Sequence, residues 1–172
     1  NHMSQMRVHP SIVTFNSFIK ISPDFACAER WLETLNDSAI DPDDITFNTL
    51  INRSPNHTAA AHYLKTMIAC GISPDDITYN TLINRSSNYN TAARWFEEML
   101  AKDIAPDKIT AHSIAKKLRK RWQLQKVVQV AQDNGVSEQW INTLVDAQKS
   151  KNVKVYNSLI EFEIEQSGVY TI

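Results

Sequence analysis

The chain has 172 residues, a formal net charge of −1 at pH 7 and 42% hydrophobic residues. Its length suits one compact domain or a short array of repeats, and its composition is that of a folded protein rather than a disordered one. The near-neutral charge excludes a globally basic nucleic-acid binder, so such a role would need a local basic surface. No apolar run approaches the roughly 18 residues of a membrane span, so we expect no membrane partner.

One phrase recurs along the chain after a lead at 1–10, whose NHMSQM start is typical of a tag remnant. It reads IVTFNSFIK at Ile12, DITFNTLIN at Asp44, DITYNTLIN at Asp76 and KITAHSIAK at Lys108, always thirty-two residues apart. The unit ends match as well, with SAIDPD, CGISPD and KDIAPD. This period predicts four repeats, 11–43, 44–75, 76–107 and 108–139, and a degenerate repeat with C-terminal capping helices at 140–172.

Each unit is predicted to form two helices joined by a turn. In the second unit Phe47, Leu50 and Ile51 lie at i, i+3 and i+4, on one face of a helix. A lone pair of short amphipathic helices cannot bury its apolar face, whereas stacked pairs can. We therefore expect an all-α fold, a right-handed α-solenoid. Later helices are predicted near 122–132, 137–149 and 153–166.

The opposite face of the first helix combines polar residues with one branched aliphatic residue. Ile45 lies there with Asn48 and Asn52, and the same placement recurs as Val13 with Asn16, Ile77 with Asn80, and Ile109 with His112. Packing alone would explain this pattern if the aliphatic residues filled a seam between stacked first helices. In that case Asp43, Asp75 and Asp107 would serve only as helix caps.

The two cysteines, Cys27 and Cys70, lie far apart in segments that are predicted to be helical. We expect buried, reduced thiols rather than a disulfide scaffold.

The phrase DITYNTLI, followed by FEEMLAKDIAPD, resembles the pentatricopeptide repeat, here in units of thirty-two residues. The resemblance covers roughly residues 11–140. Proteins of this family bind single-stranded RNA, one base per repeat. The resemblance implies a pyrimidine preference, U before C, and an intracellular site, in the mitochondrion or chloroplast if the source is eukaryotic.

The resemblance also implies which residues read the base. The Asn of the first helical turn and the last Asp of the unit would act together, which gives Asn16 with Asp43, Asn48 with Asp75, and Asn80 with Asp107. The fourth unit departs, with His112 in place of Asn and Gln139 where the Asp is expected. The residues that would flank the base are Val13, Ile45, Ile77 and Ile109.

Phosphates would need cations on or beside the same face. The candidates are Lys20, Arg53, Arg85, Lys116 and Lys117, and the densest basic stretch is KKLRKRW at 116–122. The alternative for that stretch is a solvated helix end.

Two functions stay open from the sequence. One is a module that binds U- or C-rich single-stranded RNA, and the repeated Asn–Asp pairs favour this function. The other is a protein–protein interaction solenoid that kept the repeat framework, which the few units and the near-neutral charge favour. The chain has no zinc-deaminase signature, HExxH motif or phosphate loop, so we expect no enzymatic activity, cofactor, metal or small-molecule substrate.

Overall fold

The computed structural model describes residues 10–150, and every regular element in that range is an α-helix. The helices are α1 Ile12–Ile21, α2 Phe25–Asp37, α3 Asp44–Arg53, α4 His57–Ala69, α5 Asp76–Arg85, α6 Tyr89–Ala101, α7 Lys108–Ala115, α8 Arg121–Asp133 and α9 Glu138–Lys149. The two helices predicted near 122–132 and 137–149 are confirmed as α8 and α9. The lead at 1–10, apart from Pro10, and the helix predicted near 153–166 lie outside the described residues. Within the range described, no helix is long and apolar enough to cross a membrane.

The thirty-two-residue repeat of the sequence corresponds to the starts of the first helices, at Ile12, Asp44, Asp76 and Lys108. The first helix of a unit begins after Ser11, Asp43, Asp75 or Asp107, whose side chain accepts a hydrogen bond from the amide three residues later. The second helices α2, α4 and α6 begin in the same way after Asp24, Asn56 and Asn88. Such caps satisfy amide groups that have no partner inside the helix.

The ends of the second helices repeat as well. The residues that follow them have positive φ, at Ala39, Gly71, Asp103 and Gly135. In the turn after α4, the amide of Ile72 donates to the carbonyl oxygen of Met67 at 3.0 Å, and the turns after α6 and α8 contain the equivalent bond. This is the Schellman arrangement, in which a left-handed residue ends a helix.

The described chain divides into two compact units between Arg85 and Ser86, that is, between α5 and α6. In the first unit α1 packs against α2 and α3, and α3 packs against α4 and α5. The predicted core face of α3 is confirmed, because Phe47, Leu50 and Ile51 are fully buried. Successive first helices thus form one side of this core, so their outward faces repeat at a constant interval.

In the second unit α6 packs against α7 and α8, and α9 packs against α7 and α8. Trp140 of α9 stacks on Phe96, with ring centroids 5.2 Å apart and planes 7° from parallel. Its indole Nε1 donates to the carbonyl oxygen of Asp107 at 2.8 Å. Here the period fails: Ser137 caps α9, and Gln139 lies inside the helix instead of at the cap position that the spacing predicted.

The cysteine prediction is only partly right. Both thiols are free, as expected, but Cys27 is half-buried and Cys70 is exposed. Cys70 follows the last residue of α4 and lies beyond Met67, the last residue of that helix in the core.

Candidate nucleic-acid interface

The branched aliphatic residue of each first helix is exposed to solvent. The exposed fraction of the residue is 69% for Val13, 57% for Ile45, 58% for Ile77 and 62% for Ile109. The seam hypothesis requires these residues to be buried between helices, so it is wrong for all four. An apolar residue that is exposed at the same position of every unit needs an explanation other than packing within the chain.

Beside Val13, a hydrogen-bonded network joins α1 to the start of α3. Asn16 Nδ2 donates to Asp43 Oδ1 at 2.9 Å, and the Thr46 hydroxyl donates to Asn16 Oδ1 at 2.6 Å. The same Asp43 oxygen accepts from the amide of Thr46 at 2.8 Å, as a helix cap. Asp43 is therefore both a cap and a partner of Asn16, so the cap-only hypothesis is incomplete. The two bonds also fix the orientation of the Asn16 amide, which is only 8% exposed.

The network stabilises the charged form of Asp43. Partial burial raises the pKa of the carboxyl group, but hydrogen bonds from the Asn16 side chain and from Thr46 outweigh that effect. The pKa of Asp43 therefore lies below its ordinary value. A carboxylate that accepts several hydrogen bonds is expected to stay ionised at neutral pH.

The next unit repeats this network in part. The Thr78 hydroxyl donates to Asn48 Oδ1 at 2.8 Å, and Asp75 caps α5 through the Thr78 amide at 2.8 Å. Between Asn48 and Asp75, both described, no direct hydrogen bond forms. Asn48 is also more exposed than Asn16. Its Nδ2 group is therefore not committed to the following Asp.

The two residues of the third pair, Asn80 and Asp107, lie in different compact units. Asn80 belongs to the first unit and is almost buried. Asp107 belongs to the second, where it caps α7 by accepting from the Thr110 amide at 2.8 Å. Each residue occupies the position that the repeat predicts, and their joint action stays a prediction.

His112 occupies the equivalent position in α7 and is exposed. Its Nδ1 lies 2.8 Å from the carbonyl oxygen of Lys108. Because a carbonyl oxygen only accepts, Nδ1 carries the proton in this bond, and neutral His112 presents Nε2 as an acceptor. The fourth unit therefore offers different chemistry from an Asn. With Gln139 inside α9, its expected partner is also displaced.

The predicted phosphate contacts fall into two groups. Lys20 and Lys116 are exposed and Lys117 is half-buried. Arg53 donates through Nη1 to the carbonyl oxygen of Lys20 at 2.9 Å and through Nη2 to those of Ser22 and Asp24, and Arg85 donates to that of Ser54. Both arginines thus bind the C-terminal end of the preceding first helix. A phosphate role for either stays a prediction.

Threonine is the residue that the sequence interpretation missed. Thr46, Thr78 and Thr110 are fully buried, and the first two connect the Asp at the end of a repeat to the Asn near the start of that same repeat. The signal was present, because Asp-x-x-Thr at a helix start resembles a capping box. The contact to an Asn thirty residues earlier has no local signal.

Comparison with known proteins identifies the repeat. The pentatricopeptide repeat domain family matches residues 30–88. Residues 30–88 therefore contain pentatricopeptide repeats. Its fold is an all-α helical-repeat solenoid: it matches the structure of PPR10 in complex with an 18-nt psaJ RNA element with a TM-score of 0.76, at 20% identity over 99% of this chain. The structure of PPR10 from maize gives 0.70 at 22% identity over the same share.

The PPR domain of Arabidopsis thaliana protein-only RNase P 1 in complex with tRNA matches with a TM-score of 0.56, at 14% identity. That match covers 94% of this chain and 85% of the domain. The chain spans only 25% and 26% of the two PPR10 structures. No curated protein matches the sequence.

Proposed function

We propose that these pentatricopeptide repeats bind single-stranded RNA, with the outward faces of the first helices as the binding surface. The observation that carries the proposal is the exposed aliphatic residue at the same position of every first helix, which in α1 lies beside an Asn oriented by two hydrogen bonds. An apolar side chain next to a fixed amide suits a base, which has an apolar face and a polar edge. The complexes of PPR10 with an 18-nt RNA element and of the PPR domain of protein-only RNase P 1 with tRNA support RNA as the class of ligand.

The proposed recognition of a base uses the side-chain amide of Asn16. Its Oδ1 accepts from Thr46, and one Nδ2 hydrogen goes to Asp43. A primary amide has a second N–H and a second lone pair. One donor and one acceptor side by side match the O4 and N3–H of uracil, which is why we propose a preference for U and then C. Asn48 and Asn80 would read the next two bases in the same way.

The four aliphatic residues named above would contact the faces of neighbouring bases. Lys20, Lys116 and Lys117 would contact phosphates. Arg53 and Arg85 are weaker candidates, because their guanidinium groups already bind carbonyl oxygens. If each base contributes ~1–3 kcal/mol, three reading units give about millimolar to sub-micromolar binding.

The proposal is tested by fluorescence anisotropy with labelled oligonucleotides of U, C, A or G, at about 50 and 200 mM salt. The test variant is Asn48→Ala/Asn80→Ala, and the control is Asn90→Ala, an exposed Asn of α6. We expect oligo-U to bind better than oligo-A, and the double variant to lose that preference with its circular dichroism unchanged. No binding of any oligonucleotide at protein concentrations up to about 1 mM would reject the proposal.

A second candidate is a protein-binding surface, and one observation favours it. Residues 11–107 carry thirteen Asp and Glu residues against seven Lys and Arg residues. Asp44 and Asp76, at the start of α3 and α5, are exposed beside the aliphatic residues. Such charges repel phosphates and attract basic peptides. A protein that binds no oligonucleotide but does bind a lysine-rich peptide through this face would favour this candidate.

A further inference from the structure

The near-neutral net charge hides a strong asymmetry along the chain. Residues 108–132, which comprise α7 and most of α8, contain no Asp or Glu. They contain seven cationic residues: Lys108, Lys116, Lys117, Arg119, Lys120, Arg121 and Lys126. The units before them are acidic, so the attraction for a polyanion is concentrated in the fourth unit.

Four of these cations lie in the turn between α7 and α8, at 116–120, and Arg121 and Trp122 follow directly as the first residues of α8. The Trp122 residue is 50% exposed. Its ring meets the buried ring of Tyr89 edge to face, with centroids 5.5 Å apart and planes at 87°. The indole is therefore supported by Tyr89 while half of its surface remains accessible. A supported aromatic ring beside cations is the arrangement on which nucleic-acid bases stack.

Two side chains hold the main chain of this turn. Gln123 Oε1 accepts from the main-chain amides of Arg119 at 2.7 Å and Lys120 at 3.0 Å. Arg119 Nη1 donates to the carbonyl oxygens of Lys116 at 2.8 Å and Leu118 at 3.0 Å. A main chain fixed in this way needs no further ordering when a ligand binds, which favours binding.

Lys120 also departs from the repeat in a way that opposes local stability. It occupies the cap position at which α2, α4 and α6 have Asp24, Asn56 and Asn88. A cation at the N-terminus of a helix is unfavourable, because the helix dipole is positive at that end. A bound anion would relieve this repulsion.

We propose that the α7–α8 turn is a second RNA-binding site of this chain, in which Lys116 and Lys120 hold phosphates and Trp122 stacks on a base. The inference rests on the proposed function for its ligand class, single-stranded RNA. It shares Lys116 with the phosphate contacts of the first-helix face, and it differs from that face because it reads no base edge. The cations would attract either RNA or an acidic protein. The accessible indole of Trp122 favours RNA, because a base can stack on it.

The test measures anisotropy of oligo-U, oligo-C and oligo-A with the full chain, over salt concentrations from about 50 to 200 mM. Lys116→Gln/Lys120→Gln is compared with Lys65→Gln/Lys102→Gln, two exposed lysines of α4 and the end of α6. For the first pair we expect about tenfold weaker binding to all three oligonucleotides. We also expect the salt slope, the fall of log K with log salt concentration, to be lower by about 1.4, since each single-strand phosphate contact contributes about 0.7. The control pair should behave as the wild type.

Trp122→Leu and Trp122→Phe separate stacking from charge. We expect Trp122→Leu to weaken binding about tenfold with an unchanged salt slope, and Trp122→Phe to recover part of the loss. If the lysine pair matters but Trp122→Leu binds as the wild type does, and heparin competes as well as RNA, the turn is a general polyanion site and the inference is wrong.

The two proposals fail in different ways. Loss of base preference in Asn48→Ala/Asn80→Ala, with no effect of the turn variants, would overturn the inference and leave the proposed function standing. Equal binding of all oligonucleotides that depends on Lys116, Lys120 and Trp122 would support the inference and reject base reading. Absence of binding by the wild type would overturn both.

Discussion

Asn16 donates a 2.9 Å hydrogen bond to Asp43, whereas Asn48, its equivalent one unit later, makes no hydrogen bond to Asp75. Both Asp residues cap a helix in the same way, through the amide of the Thr three residues later. The two positions therefore share their local structure and differ in one contact, the hydrogen bond from the Asn of the same repeat. That difference allows the structural contribution of the Asn–Asp contact to be measured apart from the cap.

The first prediction compares Asp43→Ala with Asp75→Ala. Both lose a cap, which contributes about 1 kcal/mol. Asp43→Ala in addition removes the acceptor of the nearly buried Asn16 Nδ2 group, which costs a further ~1–2 kcal/mol. We expect the free energy of unfolding in urea to fall by about 2–3 kcal/mol for Asp43→Ala and by about 1 kcal/mol for Asp75→Ala. Asp44→Ala, an exposed neighbour in the first turn of α3, should change it by about 0.5 kcal/mol or less. Equal losses at Asp43 and Asp75 would show that the Asn16 contact adds nothing to stability.

The second prediction concerns acid unfolding. The pKa of Asp43 is lowered in the folded chain, because the hydrogen bonds from Asn16 and Thr46 outweigh the opposing effect of burial. The unfolded chain therefore binds more protons near pH 4, and this part of the stability is lost as the pH falls. It is fully present above the pKa of an ordinary Asp, about 3.9.

Asp43→Asn isolates the charge in this experiment, since Asn is also a good cap. The wild type should be more stable than the variant at about pH 6, and the difference should shrink at about pH 2.5, as measured by urea unfolding. A difference of equal size at both pH values would contradict the lowered pKa.

The third prediction uses the left-handed residues that end the second helices. Ala39 has φ +53°, where Gly carries no steric penalty, so Ala39→Gly should stabilise the chain by about 0.5–1 kcal/mol. At the equivalent position after α4, Gly71→Ala should destabilise it by a similar amount. A Cβ at Gly71 would meet no atom within 4 Å, so the effect there comes from the backbone alone. Thermal unfolding of the two variants checks the opposite signs, and shifts in the same direction would exclude this explanation.

Periodicity predicted much of this fold and of the exposed face. The phrase that starts at Asp44 and Asp76 specifies which residues of the helix turn inward, and Phe47 and Ile51 are buried as that pattern requires. The same pattern placed Ile45 and Ile77 outward, where they are found. Such predictions succeed because the two faces of a helix are determined by spacing within one element.

The contacts that sequence reasoning missed join residues about thirty positions apart. The Thr46 hydroxyl reaches Asn16, and the Arg53 guanidinium reaches the end of α1. Neither contact follows from periodicity, because each depends on how two helices pack. Gln139 was misplaced for a similar reason. Fewer residues separate α8 from α9 than separate α6 from α7, so Ser137 caps α9 and Gln139 lies inside the helix.

The fourth prediction separates a structural from a phosphate-binding role for Arg53. Its guanidinium binds carbonyl oxygens of Lys20, Ser22 and Asp24, so Arg53→Gln should lower the free energy of unfolding by about 1.5–3 kcal/mol. Arg94→Gln, an exposed residue of α6, should stay within about 0.5 kcal/mol. If Arg53→Gln leaves stability unchanged and instead lowers the salt slope of RNA binding by about 0.7, the phosphate role is correct.

The fifth prediction concerns the exposed aliphatic residues, whose presence on a polar face is the main reason to expect a ligand. Ile45 and Ile77 are more than half exposed, so Ile45→Ala/Ile77→Ala should change the free energy of unfolding by about 1 kcal/mol or less for the pair. If these side chains contact bases, the affinity for oligo-U should fall about tenfold, because the apolar area covered on binding is lost.

Ile51→Ala provides the opposite case within the same helix. Ile51 is fully buried, so this variant should lose about 2–5 kcal/mol of stability. Urea unfolding and anisotropy of the three proteins, measured under one set of conditions, distinguish the roles. A large loss of stability in Ile45→Ala/Ile77→Ala would mean that these residues support the fold after all. Unchanged stability together with unchanged RNA affinity would mean that these two side chains do not contact the RNA.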